Sequence, residues 1–195
     1  MFFLKKDFRL LNAIDRNEIE LALNLVSKIK DINLSDKVEG ETAIVKATKV
    51  NNIELVERII YRNPDLNKPD KDGWTAIFWA VENNNEKILS LLINKGANIN
   101  FKDNDGLTPL HIAILNNNHN MVKKLLFYKA NPNIQDEDGK TPLIWAVINR
   151  FTNLVKILVE NTDLNIKDKE GNTALDYANM KKDEEIIKVL LKKNK

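Results

Sequence analysis

The chain of 195 residues contains no cysteine. That excludes disulfides, thiolate catalysis and zinc sites built on Cys. It leaves the redox compartment open. Histidine occurs twice, as His111 and His119, eight residues apart across a turn, a poor arrangement for sharing a metal. Serine occurs three times (Ser27, Ser35, Ser90), never in a nucleophile motif, and no glycine-rich phosphate loop exists. No apolar run approaches the roughly 18 residues of a membrane helix. The start, Met1-Phe2-Phe3-Leu4-Lys5-Lys6, is apolar but too short for a signal-peptide core. An excess of one charge is also missing. Lys+Arg number 30 against 28 Asp+Glu, a net +2, and the signs are spread along the chain. No clustered field points to nucleic acid or anionic lipid. What is present is 43 % hydrophobic residues, enough for the core of one domain.

Glycine is scarce, and its placement is informative. Of six glycines, five (Gly40, Gly73, Gly106, Gly139, Gly171) stand two residues before a threonine (Thr42, Thr75, Thr108, Thr141, Thr173). The threonines are 33, 33, 33 and 32 residues apart. Five residues after each comes an alanine: Ala47, Ala80, Ala113, Ala146 and Ala178. An asparagine recurs 24 or 25 residues after the first four: Asn67, Asn100, Asn133 and Asn165. Four residue types in one register define a repeat. Within it, Leu110, Ala113 and Ile114, then Met121, Val122, Leu125 and Leu126, step by three or four, which predicts two helices per unit. The threonine opens the first helix, its hydroxyl accepting from a free backbone N–H, an interaction worth about 1 kcal/mol. Pro109 and Pro142 follow it at the first helical position. Asn51, Asn84 and Asn117 mark left-handed turns between the helices; Arg150 and Lys182 hold the site later, where the turn is expected to be less relaxed.

One such unit cannot bury its apolar face alone, so units stack and the end units are modified. The expected division is an N-terminal cap at 1–36, full units at 37–69, 70–102, 103–135 and 136–167, and a C-terminal cap at 168–195, in one domain. The first unit keeps the helical pattern without the Gly-x-Thr opening, and the last ends in a charged helix from Glu184 to Lys195.

These residues resemble the ankyrin repeat. The stretch Asp103-Asn104-Asp105-Gly106-Leu107-Thr108-Pro109-Leu110-His111-Ile112-Ala113 carries the family signature, and Gly96-Ala97-Asn98-Ile99-Asn100 its loop. Thr173-Ala174-Leu175-Asp176-Tyr177-Ala178 is a family variant. The signature histidine is Val45, Phe78 and Ile144 elsewhere, Lys129 replaces a loop glycine, and the fifth unit is one residue short there, so local loop distortion is expected. The resemblance implies an all-α solenoid of helix-turn-helix units with β-hairpin-like finger loops. It also implies binding of a protein along the concave face of fingers and first helices, without catalysis.

Sites of chemistry find little support. Asp70-x-Asp72-Gly73, Asp103-x-Asp105-Gly106 and Asp136-x-Asp138-Gly139 suggest calcium loops. The outer ligand places, however, hold Lys68, Phe101 and Ile134, then Trp79, Ile112 and Trp145. A phosphatase motif fails as well, since a residue intervenes before the threonine. A tight turn with Asp side chains bonding the local backbone is expected instead. His111 is expected to make a structural hydrogen bond and His119 to be solvated. No catalytic residue, cofactor or metal is expected.

By the resemblance, partner-facing positions are the finger tips (Glu41, Trp74, Leu107, Lys140, Asn172), the groove floor (Lys46, Trp79, Ile112, Trp145, Tyr177) and the groove-side helix ends (Lys49, Glu82, Leu115, Ile148, Met180). Trp74 and Leu107, expected in solvent, and Leu115 and Ile148 form a candidate apolar patch with Trp79 and Trp145. Its charged rim is Lys71, Asp72, Lys102, Asp105, Glu137 and Lys140. The expected partner is an unidentified protein, bound by a monomer without a membrane span. The alternative is a regulatory module contacting nucleic acid or anionic lipid. The expected location is cytoplasmic, or secreted without an N-terminal signal.

Overall fold

The threonine register sets out a row of short helices. A computed structural model describes residues 4–193. Met1–Phe3 of the apolar start and Asn194–Lys195 of the expected last helix lie outside the described residues. The chain divides into two compact units, the first ending at Phe101 and the second beginning at Lys102. The first holds α1 (Leu4–Asp15), α2 (Ile19–Val26), α3 (Ala43–Lys49), α4 (Ile53–Ile60), α5 (Ala76–Glu82) and α6 (Glu86–Asn94). The second holds α7 (Pro109–Leu115), α8 (His119–Phe127), α9 (Pro142–Ile148), α10 (Thr152–Leu158), α11 (Ala174–Met180) and α12 (Glu184–Lys193), with a 3-10 turn at Val159–Asn161. The described residues form no β-strand, only an isolated bridge between Ser35 and Thr42. The fold class is all-α, a series of short helix-turn-helix pairs joined by loops.

Helices of seven residues are too short to persist alone, so packing holds them. In the first unit α1, α3 and α5 form one row, and α2, α4 and α6 a second row against it. In the second unit α7, α9 and α11 form one row, with α8, α10 and α12 behind. The first helices α3, α5, α7 and α9 are buried on most of their surface: Ala76, Ile77, Phe78, Ala80 and Val81 of α5 are all in the core. The recurring alanines, each 0 % exposed, explain themselves here. A larger side chain at these places would push neighbouring helices apart.

The turn between the helices of each pair is left-handed everywhere. Asn51, Asn84 and Asn117 have φ of 57°, 51° and 50°. Arg150 (56°) and Lys182 (52°) adopt it too, as does Asn17 in the first pair. The turn conformation is therefore independent of the residue, and only its energy differs, by about 1–2 kcal/mol per non-Asn position. Asparagine also caps the second helices: Asn52, Asn85 and Asn118 accept from the backbone N–H of Leu55, Ile88 and Met121 at 2.9–3.0 Å.

The long-range asparagine of the repeat staples loops together. Asn33, Asn67 and Asn133 accept through Oδ1 from the backbone N–H of Asp65, Asn98 and Asp163, at 2.7, 2.7 and 2.9 Å. In the fifth unit the missing residue tightens the loop into the 3-10 turn, where Thr162 donates to the carbonyl of Leu158 at 2.8 Å. That is the expected distortion. Lys129, in place of the loop glycine, takes φ 65°.

The finger loops bond one another through backbone. Lys71 N–H donates to Glu39 at 2.9 Å, Glu137 N–H to Asp105 at 2.9 Å, and Lys169 N–H to Asp138 at 3.0 Å. At Gly139 (φ 81°) a Cβ would stand 2.8 Å from Lys169 N; at Gly171 (φ 84°) it would meet nothing within 4 Å. Both Ala substitutions incur the left-handed penalty of about 1 kcal/mol. Only Gly139→Ala also forces a finger aside, for a further 1–3 kcal/mol or so. Urea unfolding of the two variants should therefore separate them by more than 1 kcal/mol, and equal losses would remove the close approach as a reason for glycine.

Candidate functional site

The finger loops are built on one aspartate each. Asp70 Oδ1 accepts from the N–H of Asp72 (3.0 Å) and Trp74 (2.8 Å), and Asp103, Asp136 and Asp168 repeat the pattern. The Asp-x-Asp-Gly motifs thus spend one carboxylate oxygen on the turn. Among the described residues no group of three or more His, Cys, Asp or Glu is arranged to hold a metal.

The second carboxylate oxygen has a role that sequence reasoning missed. It receives a donor from the first helix of the pair. Trp145 Nε1 donates to Asp136 Oδ2 at 2.7 Å, and Tyr177 Oη to Asp168 Oδ2 at 2.6 Å. The bond to Asp168 pushes the Tyr177 hydroxyl pKa up. Trp79 Nε1, at the matching place, is buried and falls short of a full hydrogen bond. Burial raises the pKa of Asp70, and the Trp79 indole still acts on it in the lowering direction. In the first finger the donor is an ammonium. Lys46 Nζ lies 3.0 Å from Asp36, 2.8 Å from Glu41 and 2.7 Å from Asp15. Lys49 pairs with Glu41 at 2.6 Å and stands 4.6 Å over the Trp79 ring. Burial opposes the charge on Lys46, but its three carboxylate partners outweigh that and raise its pKa. Burial likewise raises Asp36 and Glu41, and the Glu39 N–H with Lys46, or Lys46 with Lys49, brings them below their ordinary values.

Two expectations are corrected by this arrangement. Glu41 is 4 % exposed rather than a solvated finger tip, because both lysines draw it inward. Lys46 is 5 % exposed, inside a carboxylate cage rather than on a groove floor.

The threonine caps are also less uniform than the sequence suggests. Thr42, Thr141 and Thr173 accept from the N–H three residues on, at 3.5, 3.3 and 3.2 Å. Thr75 makes no such bond, and its hydroxyl is buried without a partner. Thr108 instead bonds its signature histidine. Thr108 N–H donates to His111 Nδ1 at 3.0 Å, with the hydroxyl 2.9 Å away. An acceptor at Nδ1 places the proton on Nε2, which faces the carbonyl of Lys140 at 3.3 Å. The structural role expected of His111 is the one it has. His119, half-buried, lies 3.1 Å from the carbonyl of Asn117.

Trp74 was expected in solvent and is half-buried. Its ring stacks on Phe78 (centroids 5.4 Å apart) and meets Trp79 edge-on (5.0 Å). Leu107 is half-buried too, as are Trp79, Trp145 and Ile148. Leu115 is exposed. Trp74 and Leu107 belong to different compact units. Of the expected rim, Lys71, Asp72, Lys102, Asp105 and Glu137 are exposed; Lys140 is half-buried, paired to Asp138 at 2.8 Å. Within the second unit the structure adds Met180. Leu115, Ile148 and Met180 hold one position on the successive packed helices α7, α9 and α11, and Met180 is 62 % exposed. No helix among the described residues is long and apolar enough to cross a membrane.

The family model for ankyrin repeats (three copies) matches residues 10–103, 47–136 and 110–195. The chain belongs to the ankyrin-repeat family. Ankyrin repeats are in general protein-interaction modules, and the family is typically non-catalytic. No curated protein matches this chain.

Proposed function

We propose that this chain is a non-catalytic scaffold that binds a partner protein as a monomer. It does so through the face made by its finger loops and first helices, with the six-unit division at 36, 69, 102, 135 and 167 as its frame. The observation that supports this reading is the apolar strip Leu115–Ile148–Met180. Leu115 and Met180 are exposed and Ile148 is half-buried, all three at one register on successive packed helices, and an apolar cluster of this kind marks an interface. Trp74 and Trp79 in the first unit, and Leu107 and Trp145 in the second, supply the half-buried aromatic and aliphatic anchors typical of binding hot spots. Lys71 and Asp72 in the first unit, and Lys102, Asp105, Glu137 and Lys140 in the second, supply the polar positions beside them.

The test is affinity capture from the native cell, read by mass spectrometry, with the wild-type chain and with Trp74→Ala, Leu107→Ala and Leu115→Glu. Each variant is expected to lose the captured partner while keeping its helical circular dichroism. Hot-spot truncations of this kind weaken binding by about 2 kcal/mol, roughly thirtyfold. Undiminished capture by all three folded variants would sink the reading.

A further inference from the structure

Three of the repeating glycines follow an aspartate: Asp72-Gly73, Asp105-Gly106 and Asp138-Gly139. The other two follow a glutamate, Glu39-Gly40 and Glu170-Gly171. The amide nitrogen after an aspartate can attack that aspartate's Cγ and close a five-membered ring. Glycine leaves the nitrogen unhindered, because it has no Cβ. After a glutamate the ring has six members and closes far more slowly. The C–N bond forms as a C–O bond of the protonated carboxyl breaks, and one water leaves. Water then opens the succinimide. Where it cuts the ring at the former main-chain carbonyl, the chain runs on through Cγ as isoaspartate. The main chain is then one methylene longer, and the old carbonyl is a free carboxylate. One water leaves and one is taken up, so the mass is unchanged and no other reagent is consumed.

All three aspartates are exposed. What restrains the reaction is the finger itself. Gly73, Gly106 and Gly139 N–H donate to the carbonyls of Asp70, Asp103 and Asp136 at 3.1, 3.0 and 3.0 Å. An amide held in that bond keeps its proton and is turned toward its acceptor. Asp105 and Asp138 are held by their own carbonyls as well, which accept from Glu137 and Lys169 N–H at 2.9 and 3.0 Å. Ring closure therefore requires the finger to open, and hydrogen bonds in exposed loops open far more often than the core unfolds. Asp138 has one further restraint. Its Oδ2 receives Lys140 Nζ at 2.8 Å, whereas Asp72 and Asp105 form no ion pair among the described residues. The Lys140 ammonium holds the Asp138 carboxyl below the usual carboxylate range, which depletes the protonated form that expels water.

We propose that Asp72 and Asp105 are sites of isoaspartate formation, reached by opening of their finger loops, and that the Lys140 contact guards Asp138 from the same reaction. Conversion at Asp105 moves the carbonyl that holds Glu137 N–H and so unfastens one finger of the second unit from the next.

The experiment ages the folded chain and a urea-unfolded sample side by side in warm, mildly acidic buffer. A protease that cuts before aspartate but not before isoaspartate, followed by mass spectrometry of the peptides, counts conversion at each site. Rates are compared as folded-to-unfolded ratios, which removes the effect of flanking residues. The unfolded chain should convert at all three Asp-Gly sites and not at Glu39 or Glu170. In the folded chain Asp72 and Asp105 should convert more slowly than when unfolded, and Asp138 about threefold more slowly again, the size of effect a surface ion pair supplies. Lys140→Gln should bring Asp138 up to the ratio of Asp105 and leave Asp105 unchanged, while Lys140→Arg, which keeps the charge, should leave Asp138 guarded. An unfolded chain that does not convert, or a folded chain without isoaspartate at Asp72 and Asp105 when the unfolded one has largely converted, overturns the sites. Asp138 keeping pace with Asp105 in the wild type, or ignoring Lys140→Gln, overturns the guard.

Discussion

Replacing Lys46 with methionine is expected to lower the unfolding free energy by about 3–5 kcal/mol, the range for removing one partner of a buried ion pair. Methionine matches the length of the lysine stem, so the loss is electrostatic and not a cavity. It strands Asp36 and Glu41, whose side chains are 16 % and 5 % exposed, with only Lys49 left for Glu41. Asp15 is half exposed, and Asp15→Asn should cost under about 1 kcal/mol. The pH dependence follows from the directions of the shifts. Asp36 and Glu41 have lowered pKa values in the fold, so their contribution is full above the ordinary carboxylate range and is lost as pH falls through the folded values. Lys46 has a raised pKa, so its contribution is full below the ordinary lysine value and is lost only as pH rises through the folded one. The gap between wild type and Lys46→Met should therefore be widest near neutrality and close in acid. Urea unfolding followed by circular dichroism, at neutral and acid pH, measures it. A neutral-pH loss below 1 kcal/mol would show that the cage is solvated and dispensable.

The cage also shows where reading the sequence stops. Helix pairs, turn positions and the Asx turns of the fingers are local: each depends on residues within one repeat, and the register exposes them. Asn117 in a left-handed turn and Asp136 bonding Asp138 and Lys140 are of this kind. Lys46 stands in the register of Trp79 and Trp145, and by analogy alone it reads as groove floor. Its actual place depends on Asp15, 31 residues earlier in α1, and on a first finger one residue longer than the rest, from Asp36 to Thr42. Nothing in the repeat pattern brings those acids together. The expectation that Trp74 lies in solvent fails for a related reason, since it is half-buried. A tip residue is expected to be solvated because the tips vary, yet a large ring beside Phe78 and Trp79 gains more by stacking than by extending into water. The shared register of Leu115, Ile148 and Met180 at the helix ends was legible, because the threonines set it, but their exposure was not: Leu115 and Met180 are exposed and Ile148 is half-buried.

Lowering the pH from 6.5 to 4 is expected to remove on the order of 3 kcal/mol of stability through His111 alone, since 2.5 pKa units at 1.36 kcal/mol each separate its folded and ordinary values. Burial is the first cause: His111 is 0 % exposed, and its pKa is lowered from 6.5 to about 4. The geometry explains why a proton is unwelcome. Nδ1 is the acceptor for Thr108 N–H, so protonating it sets donor against donor and leaves a buried N–H without an acceptor. A histidine with a depressed folded pKa contributes nothing unfavourable above pH 6.5, where both states are neutral. As pH falls below 6.5 the unfolded chain takes up the proton and the folded one does not, so stability declines until about pH 4. Asp36 and Glu41, held below their ordinary values, titrate at the lower end of this window and beyond, so the wild-type curve alone cannot isolate the histidine. His111→Phe does isolate it. Phenylalanine fills the same position in the preceding repeat as Phe78, fully buried. The variant gives up the bonds of Nδ1 and should be about 1–2 kcal/mol less stable than wild type at pH 7.5. It also gives up the proton linkage, so its stability should change little between pH 6.5 and 5. The two curves of unfolding free energy against pH should therefore converge and cross between pH 6 and 4. Parallel curves across that interval would mean that His111 accepts its proton in place, and that Thr108 is capped by some other bond.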